Sequence, residues 1–133
     1  MTSVGGLPSA SLAAGLLSVA AGAVLGAWLR WGLGVWLNGL MPSLPMGTLL
    51  ANVLGGLLVG LALAWFVRHP ELSPLWRLFV VTGFLGALTT FSTFSAESLA
   101  LIMRGELLWA GLHACLHLMG ALGAAAVGYR WAS

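Results

Sequence analysis

The chain has 133 residues, 60% of them hydrophobic and 6% charged, with a mean hydropathy of +1.03. Soluble globular domains carry about a quarter charged residues, so this composition excludes that class and indicates a membrane protein. The net charge of +2 comes from arginine and glutamate alone, and five dispersed arginines make no nucleic-acid footprint, so the expected partner is lipid and not nucleic acid.

Four stretches reach the roughly 20 apolar residues that cross a bilayer: residues 11–37, 46–67, 78–103 and 107–129. The expected fold is an all-α membrane protein of four transmembrane helices forming one domain over residues 1–133. No Lys or Arg precedes the first stretch, and its apolar run exceeds that of a signal peptide, so it reads as a retained helix. Arg30, near its end, either snorkels to the headgroups or draws anions to a vestibule.

In the second stretch Asn52 lies four residues before Gly56 and eight before Gly60, on a small-residue face that points into protein. Its amide is either glue between helices or a donor on a polar path.

The third stretch contains GFLGALTTFSTFSAE, Gly83 to Glu97, with hydroxyls at Thr89, Thr90, Ser92, Thr93 and Ser95. Unpartnered hydroxyls and carboxylates are costly in lipid, so the cluster implies a polar occupant. Two glycines followed by residues that compete for backbone hydrogen bonds predict a helix break near residues 86–90. Carbonyls freed there, if they face a cavity, suit a hard cation. Phe91 and Phe94 share a face with Glu97; their electropositive ring edges either line a path for a small anion or simply pack.

The fourth stretch carries His113 and His117 in HACLH, four residues apart. That is metal-ligand spacing, but no third ligand is evident, and hydrogen bonding between helices or lining of a pore is the competing reading. Cys115, the single cysteine, excludes an intrachain disulfide and reads as a small core hydrophobe.

Gly22 with Gly26, Gly56 with Gly60, and Gly120, Ala124 and Gly128 give their helices protein-facing, close-packing stripes. Four closely packed helices leave little room for a pathway within one chain, so transport calls for a dimer. Arg68, Arg77 and Arg130 fall on one side of the membrane and Arg30 and Arg104 on the other. That near balance permits insertion either in one orientation or in both.

The blocks GAVLGAWLRW, GTLLANVLGGLLVG and GFLGALTTFSTFSAE, in this order within four spans, resemble the Fluc (CrcB-type) fluoride channel family. The resemblance covers the first three spans. It implies an antiparallel dual-topology homodimer in the prokaryotic inner membrane, with the third helix broken mid-membrane and fluoride as the passing ion. It further implies a structural, untransported sodium ion (Na+) on the backbone carbonyls of Gly86 and Thr89. Phe91 and Phe94 would be ring-edge fluoride contacts, Asn52 an amide donor, and Ser92 and Thr93 part of a hydroxyl track. Glu97 would stand near the pore exit and Arg30 at a vestibule. The chain departs from the family at His113 and His117, where Tyr and Ser are often placed beside the pore, so the resemblance leaves the role of these candidate pathway residues open.

Two other classes compete with this one. A small proton-coupled multidrug exporter needs a carboxylate in the first span, and none is there. A non-transporting membrane assembly factor gives no reason for TTFSTFS in the membrane. The spans hold no activated nucleophile with a base at suitable spacing, so the expectation is not an enzyme.

Overall fold

In lipid the backbone must satisfy its own hydrogen bonds, and apolar runs of this length do so as helices. The computed structural model describes residues 9–133, and all the regular structure among them is helical. Helix α1 is Ser9–Leu37, followed by a 3-10 turn at Asn38–Leu40, and α2 is Met46–Arg68. Three consecutive helical pieces, Pro74–Arg77, Leu78–Leu85 and Gly86–Leu88, form α3 over residues 74–88. Phe91–Met103 is α4 and Leu107–Ala132 is α5. By length and composition four segments can cross a membrane, namely Ser11–Leu40, Met46–Arg68, Pro74–Met103 and Leu107–Ala132. The protein is therefore a multi-pass membrane protein.

The start of α3 follows from its sequence: Ser73 Oγ accepts from the Leu75 amide at 3.3 Å, and Pro74 occupies the first turn, where no amide is needed. The next 8 residues widen into a π-helix, so that the Gly86 amide reaches the Val81 carbonyl five residues back. The β-branched run Val80-Val81-Thr82 and Gly83, with Gly86 just beyond, make this stretch a poor α-helix former, and π geometry of this kind is concentrated at functional sites. Thr89 (φ −80°, ψ 154°) and Thr90 (φ −150°, ψ 121°) are then extended, and α4 restarts with Thr90 Oγ1 accepting from the Thr93 amide at 3.1 Å.

Glycines set the packing partners. A Cβ on Gly22 or Gly26 would strike the backbone of Phe79 and Phe84, so α1 lies directly on α3. A Cβ on Gly56 or Gly60 would strike the Ala121 or Ala125 carbonyl, and one on Gly128 the Leu57 carbonyl, so α2 and α5 meet backbone to backbone. Ala51 of α2 and Leu85 and Leu88 of α3 form a buried centre, with Leu33 of α1 and Val59 of α2 packed against it.

At one end Ser43 Oγ donates to Glu106 Oε2 at 3.1 Å and Arg104 Nε donates to Glu106 Oε1 at 2.7 Å, tying the first and third connectors together. These bonds, Arg104 first and Ser43 second, hold the Glu106 carboxyl below the usual carboxylate range. At the other end the Arg77 guanidinium lies 5.5 Å from the centre of the Phe66 ring.

Two expectations need correcting. Cys115 is exposed on the chain's surface instead of lying in the core. Arg30 does not snorkel to the headgroups: about 10 Å before Leu37 at 1.5 Å per residue, it is half-buried and its Nε donates to the Ala87 carbonyl at 2.9 Å. An arginine there finds a backbone acceptor beside the extended residues and has no need to reach the headgroups.

Candidate functional site

Polar side chains from α2, α4 and α5 meet at the extended residues and continue toward the first connector as one chain. Asn52, on the small-residue face of α2, makes three contacts. Its Oδ1 accepts from the Thr90 amide at 2.7 Å, and its Nδ2 donates to the Thr90 carbonyl at 3.0 Å and to His117 Nδ1 at 2.9 Å. A donor facing Nδ1 makes that nitrogen the acceptor, which puts the neutral ring's proton on Nε2. Gly55 permits this approach, because a Cβ there would overlap the Thr89 methyl.

His113 and His117 follow on α5, 0% and 5% exposed, with ring centres 4.3 Å apart. His113 Nε2 lies 3.5 Å from Glu97 Oε2. Glu97 Oε1 accepts from Thr48 Oγ1 at 2.6 Å, and Thr48 in turn meets Asn38, whose Nδ2 is 3.4 Å from the same oxygen and whose Oδ1 accepts the Thr48 amide at 3.1 Å. At the opposite limit Thr90 Oγ1 lies 3.1 Å from Thr93 Oγ1 and 3.3 Å from Ser92 Oγ.

The rings lie alongside this chain. Phe94 stacks on His113 with centres 5.2 Å apart and tilts against His117 at 5.0 Å. Phe91 is 5.4 Å from Phe94 and 79% exposed, on the wall of a groove of about 570 Å³ that also contains Asn52, Gly86, Thr89 and His117.

The backbone around Thr89 and Thr90 has carbonyls without their helical donors. A continuing helix would send the Thr90 amide to Gly86 and the Thr93 amide to Thr89. Here the first goes to Asn52 and the second to Thr90 Oγ1.

The family described as CrcB-like protein, Camphor Resistance (CrcB), matches residues 17–129. The chain belongs to the CrcB family. This CrcB chain is 58% identical over 107 residues, 80% of its length and 84% of the relative's, to a Pseudomonas putida (strain W619) protein named fluoride-specific ion channel FluC. Proteins of the same name from Pseudomonas syringae pv. maculicola, 57% identical over 85% of this chain and 89% of their own, and Cupriavidus pinatubonensis (strain JMP 134 / LMG 1197), 58% identical over 86% and 90%, are similarly close.

The structure thus joins Asn52, Thr93, Glu97, Phe94, His113 and His117 in one cluster with Ser92 and Phe91 at its edge, and places Arg30 against Ala87 outside it. Sequence reasoning missed Thr48, which is 4% exposed and carries the chain from Glu97 to Asn38. The available signal was its position four residues before Asn52, on the same helical face.

Proposed function

We propose that the protein is a fluoride-selective passive ion channel that lets fluoride leave the cytoplasm and so lowers its toxicity. One observation carries this reading: a row of hydroxyl, amide and imidazole groups inside four apolar helices, hydrogen-bonded from Thr90 to His117 and from Glu97 to Asn38 with the two histidine rings in contact between, in a sequence more than half identical to proteins named for fluoride conduction. Fluoride holds its water tightly, so a pathway must offer donors in place of that water while remaining too narrow or wrongly lined for larger anions.

The groups along the chain suit that task. Thr90, Ser92 and Thr93 have rotatable O–H donors, and the edges of Phe91 and Phe94 carry partial positive charge without a full charge to desolvate. Both Asn52 Nδ2 protons are already engaged, so Asn52 serves fluoride by exchanging its His117 contact for the ion. His117 and His113 extend the donor series, and Glu97 with Thr48 forms the end nearest the first connector. Arg30 adds positive potential beside the extended residues.

The working unit in this reading is an antiparallel dual-topology homodimer in the prokaryotic inner membrane, with the extended residues of the third span at its middle. The nearly balanced arginines support dual topology, and the exposed Phe91 on an open groove supports a second copy seated there. The carbonyls of Gly86 and Thr89, deprived of helical donors, suit a hard cation. They would hold a structural sodium ion whose charge offsets the clustered carbonyl dipoles of the two copies.

The test is efflux from liposomes loaded with potassium fluoride, followed with a fluoride electrode after valinomycin is added to carry the countercharge. Release is expected without nucleotide or a proton gradient, and chloride should stay inside. Folded, reconstituted protein that releases no more fluoride than protein-free liposomes overturns the proposal, and release only under an imposed proton gradient points to a coupled exporter instead.

A further inference from the structure

We infer that Glu97, His113 and His117 form a binding site for a divalent transition ion of the zinc type. One ligand atom from each of these residues lies within 4.8 Å of the other two, although the residues come from α4 and α5. In tetrahedral zinc sites the bonds to nitrogen and oxygen are about 2.0–2.2 Å, which sets donor atoms about 3.3–3.5 Å apart. The gap of 3.5 Å between His113 Nε2 and Glu97 Oε2 already meets that spacing. A gap at the 4.8 Å limit would have to close by about 1.3–1.5 Å on binding.

A second observation points to a ligand independently of the spacing. Glu97 Oε2, both ring nitrogens of His113 and Nε2 of His117 are all buried without a hydrogen-bond partner. Buried polar atoms are normally satisfied, and one nitrogen of each ring together with Glu97 Oε2 makes a group of three that needs something between its members. A cation accepts lone pairs from both nitrogen and oxygen, so one ion satisfies the carboxylate oxygen and one nitrogen of each ring. With its proton on Nε2, His117 ligates through Nδ1 by giving up the Asn52 amide; ligation through Nε2 would shift that proton to Nδ1 and cost the same contact.

The donor set selects the metal. Two imidazoles and one carboxylate suit zinc, whereas calcium and magnesium require mostly oxygen ligands. The carboxylate also leaves a bound divalent ion with one net positive charge in a site walled by Phe94, a smaller burden than the free ion would bring. Thr48, donating to Glu97 Oε1, aims the other carboxylate oxygen at the histidines and so acts as the supporting hydrogen bond such ligands commonly have. Three protein ligands leave a fourth position open, as in exchangeable zinc sites.

The experiment measures metal binding itself and does not depend on fluoride conduction. The full chain, purified without a polyhistidine tag, is dialysed against zinc ion, and bound zinc is counted per chain. One ion per chain with micromolar or tighter affinity is expected. Glu97→Gln and the double variant His113→Tyr with His117→Ser should each weaken binding on the order of tenfold or more, comparable to losing a ligand or its support. His69→Gln, at the exposed His69–Glu71 pair, should leave it unchanged. Absence of saturable binding, or equal affinity in wild type and folded site variants, overturns the inference. X-ray absorption at the zinc edge of the wild type keeps the test decisive even if the variants do not fold: two imidazole ligands support the site, and one or none refutes it.

Discussion

Asn52 and Thr90 are joined at both backbone polar groups of the threonine, the amide donating to Oδ1 at 2.7 Å and the carbonyl accepting from Nδ2 at 3.0 Å. A side chain of α2 thereby replaces the helical hydrogen bonds that Thr90 forgoes, and the extended conformation needs this replacement to survive in an apolar setting. Asn52→Asp preserves the acceptor but sets a carboxylate against the Thr90 carbonyl. Stranding a buried polar group costs about 1–3 kcal/mol, and a charged one more. The variant is expected to unfold in detergent at a clearly lower temperature and to conduct fluoride on the order of tenfold more slowly or worse, since about 1.4 kcal/mol on a barrier is a factor of ten. Wild-type stability together with wild-type efflux would remove Asn52 from both roles.

Phe91 and Phe94 differ in a way that makes them separable. Phe94 packs against both histidines, whereas Phe91 is 79% exposed in the single chain. Phe91→Leu therefore removes a ring edge at little cost to the fold of the single chain, within about 0.5 kcal/mol, and keeps apolar bulk where a second copy would sit. Its efflux should drop on the order of tenfold while thermal unfolding is unchanged, if the edge contributes the equivalent of about 1.4 kcal/mol to passage. Undiminished efflux from the folded variant would make Phe91 a packing residue only.

Much of this arrangement can be read from the chain, and the part that cannot has physical causes. The four spans are legible because hydropathy over twenty residues is a property of each segment alone. The hydroxyl cluster was legible as polar, but its pairing with Asn52 depends on the register between α2 and the third span, which no local pattern contains. Glu97 was seen and the histidines were seen, yet their meeting joins two helices across a turn and appears only in three dimensions. Cys115 was misjudged because an apolar residue in lipid is as comfortable outside the bundle as inside, so composition does not tell the two faces apart. The π-helical stretch from Leu78 to Leu85 has the same hydropathy as an α-helix and left only the weak signal of β-branched residues and glycine.

Glu106 predicts an acid dependence of stability. Its carboxyl is held below its ordinary value of 4.5, first by Arg104 and then by Ser43. A depressed folded value means the contribution is present above that ordinary value and is lost as pH falls through the folded one. Between about pH 6 and about pH 3 the unfolding temperature of the wild type should therefore fall further than that of Glu106→Gln, which has no such proton to gain. Thermal scans in detergent give the two curves. Parallel curves would show that the Glu106 contacts bear no net stability.

Gly60 and Gly123 offer opposite signs for the same substitution. Both lie inside helices, where alanine is ordinarily favoured over glycine by about 0.5–1 kcal/mol. A Cβ at Gly60 would be driven into the Ala125 carbonyl and the Tyr129 amide, whereas one at Gly123 meets no atom within 4 Å. The neighbours of Gly60 are backbone and cannot rotate aside, so α2 and α5 must separate, and overpacking of this kind costs about 1–3 kcal/mol. Because Gly56 and Gly128 press on the same seam, the separation loosens their contacts too, and with them the bond from Asn52 to His117 that crosses the same pair of helices. Gly60→Ala is expected to lower the unfolding temperature and slow efflux, while Gly123→Ala holds or raises the unfolding temperature. A Gly60→Ala protein as stable as wild type would mean that the α2–α5 seam is not set by backbone contact, and the same result in both variants would make helix propensity the governing effect.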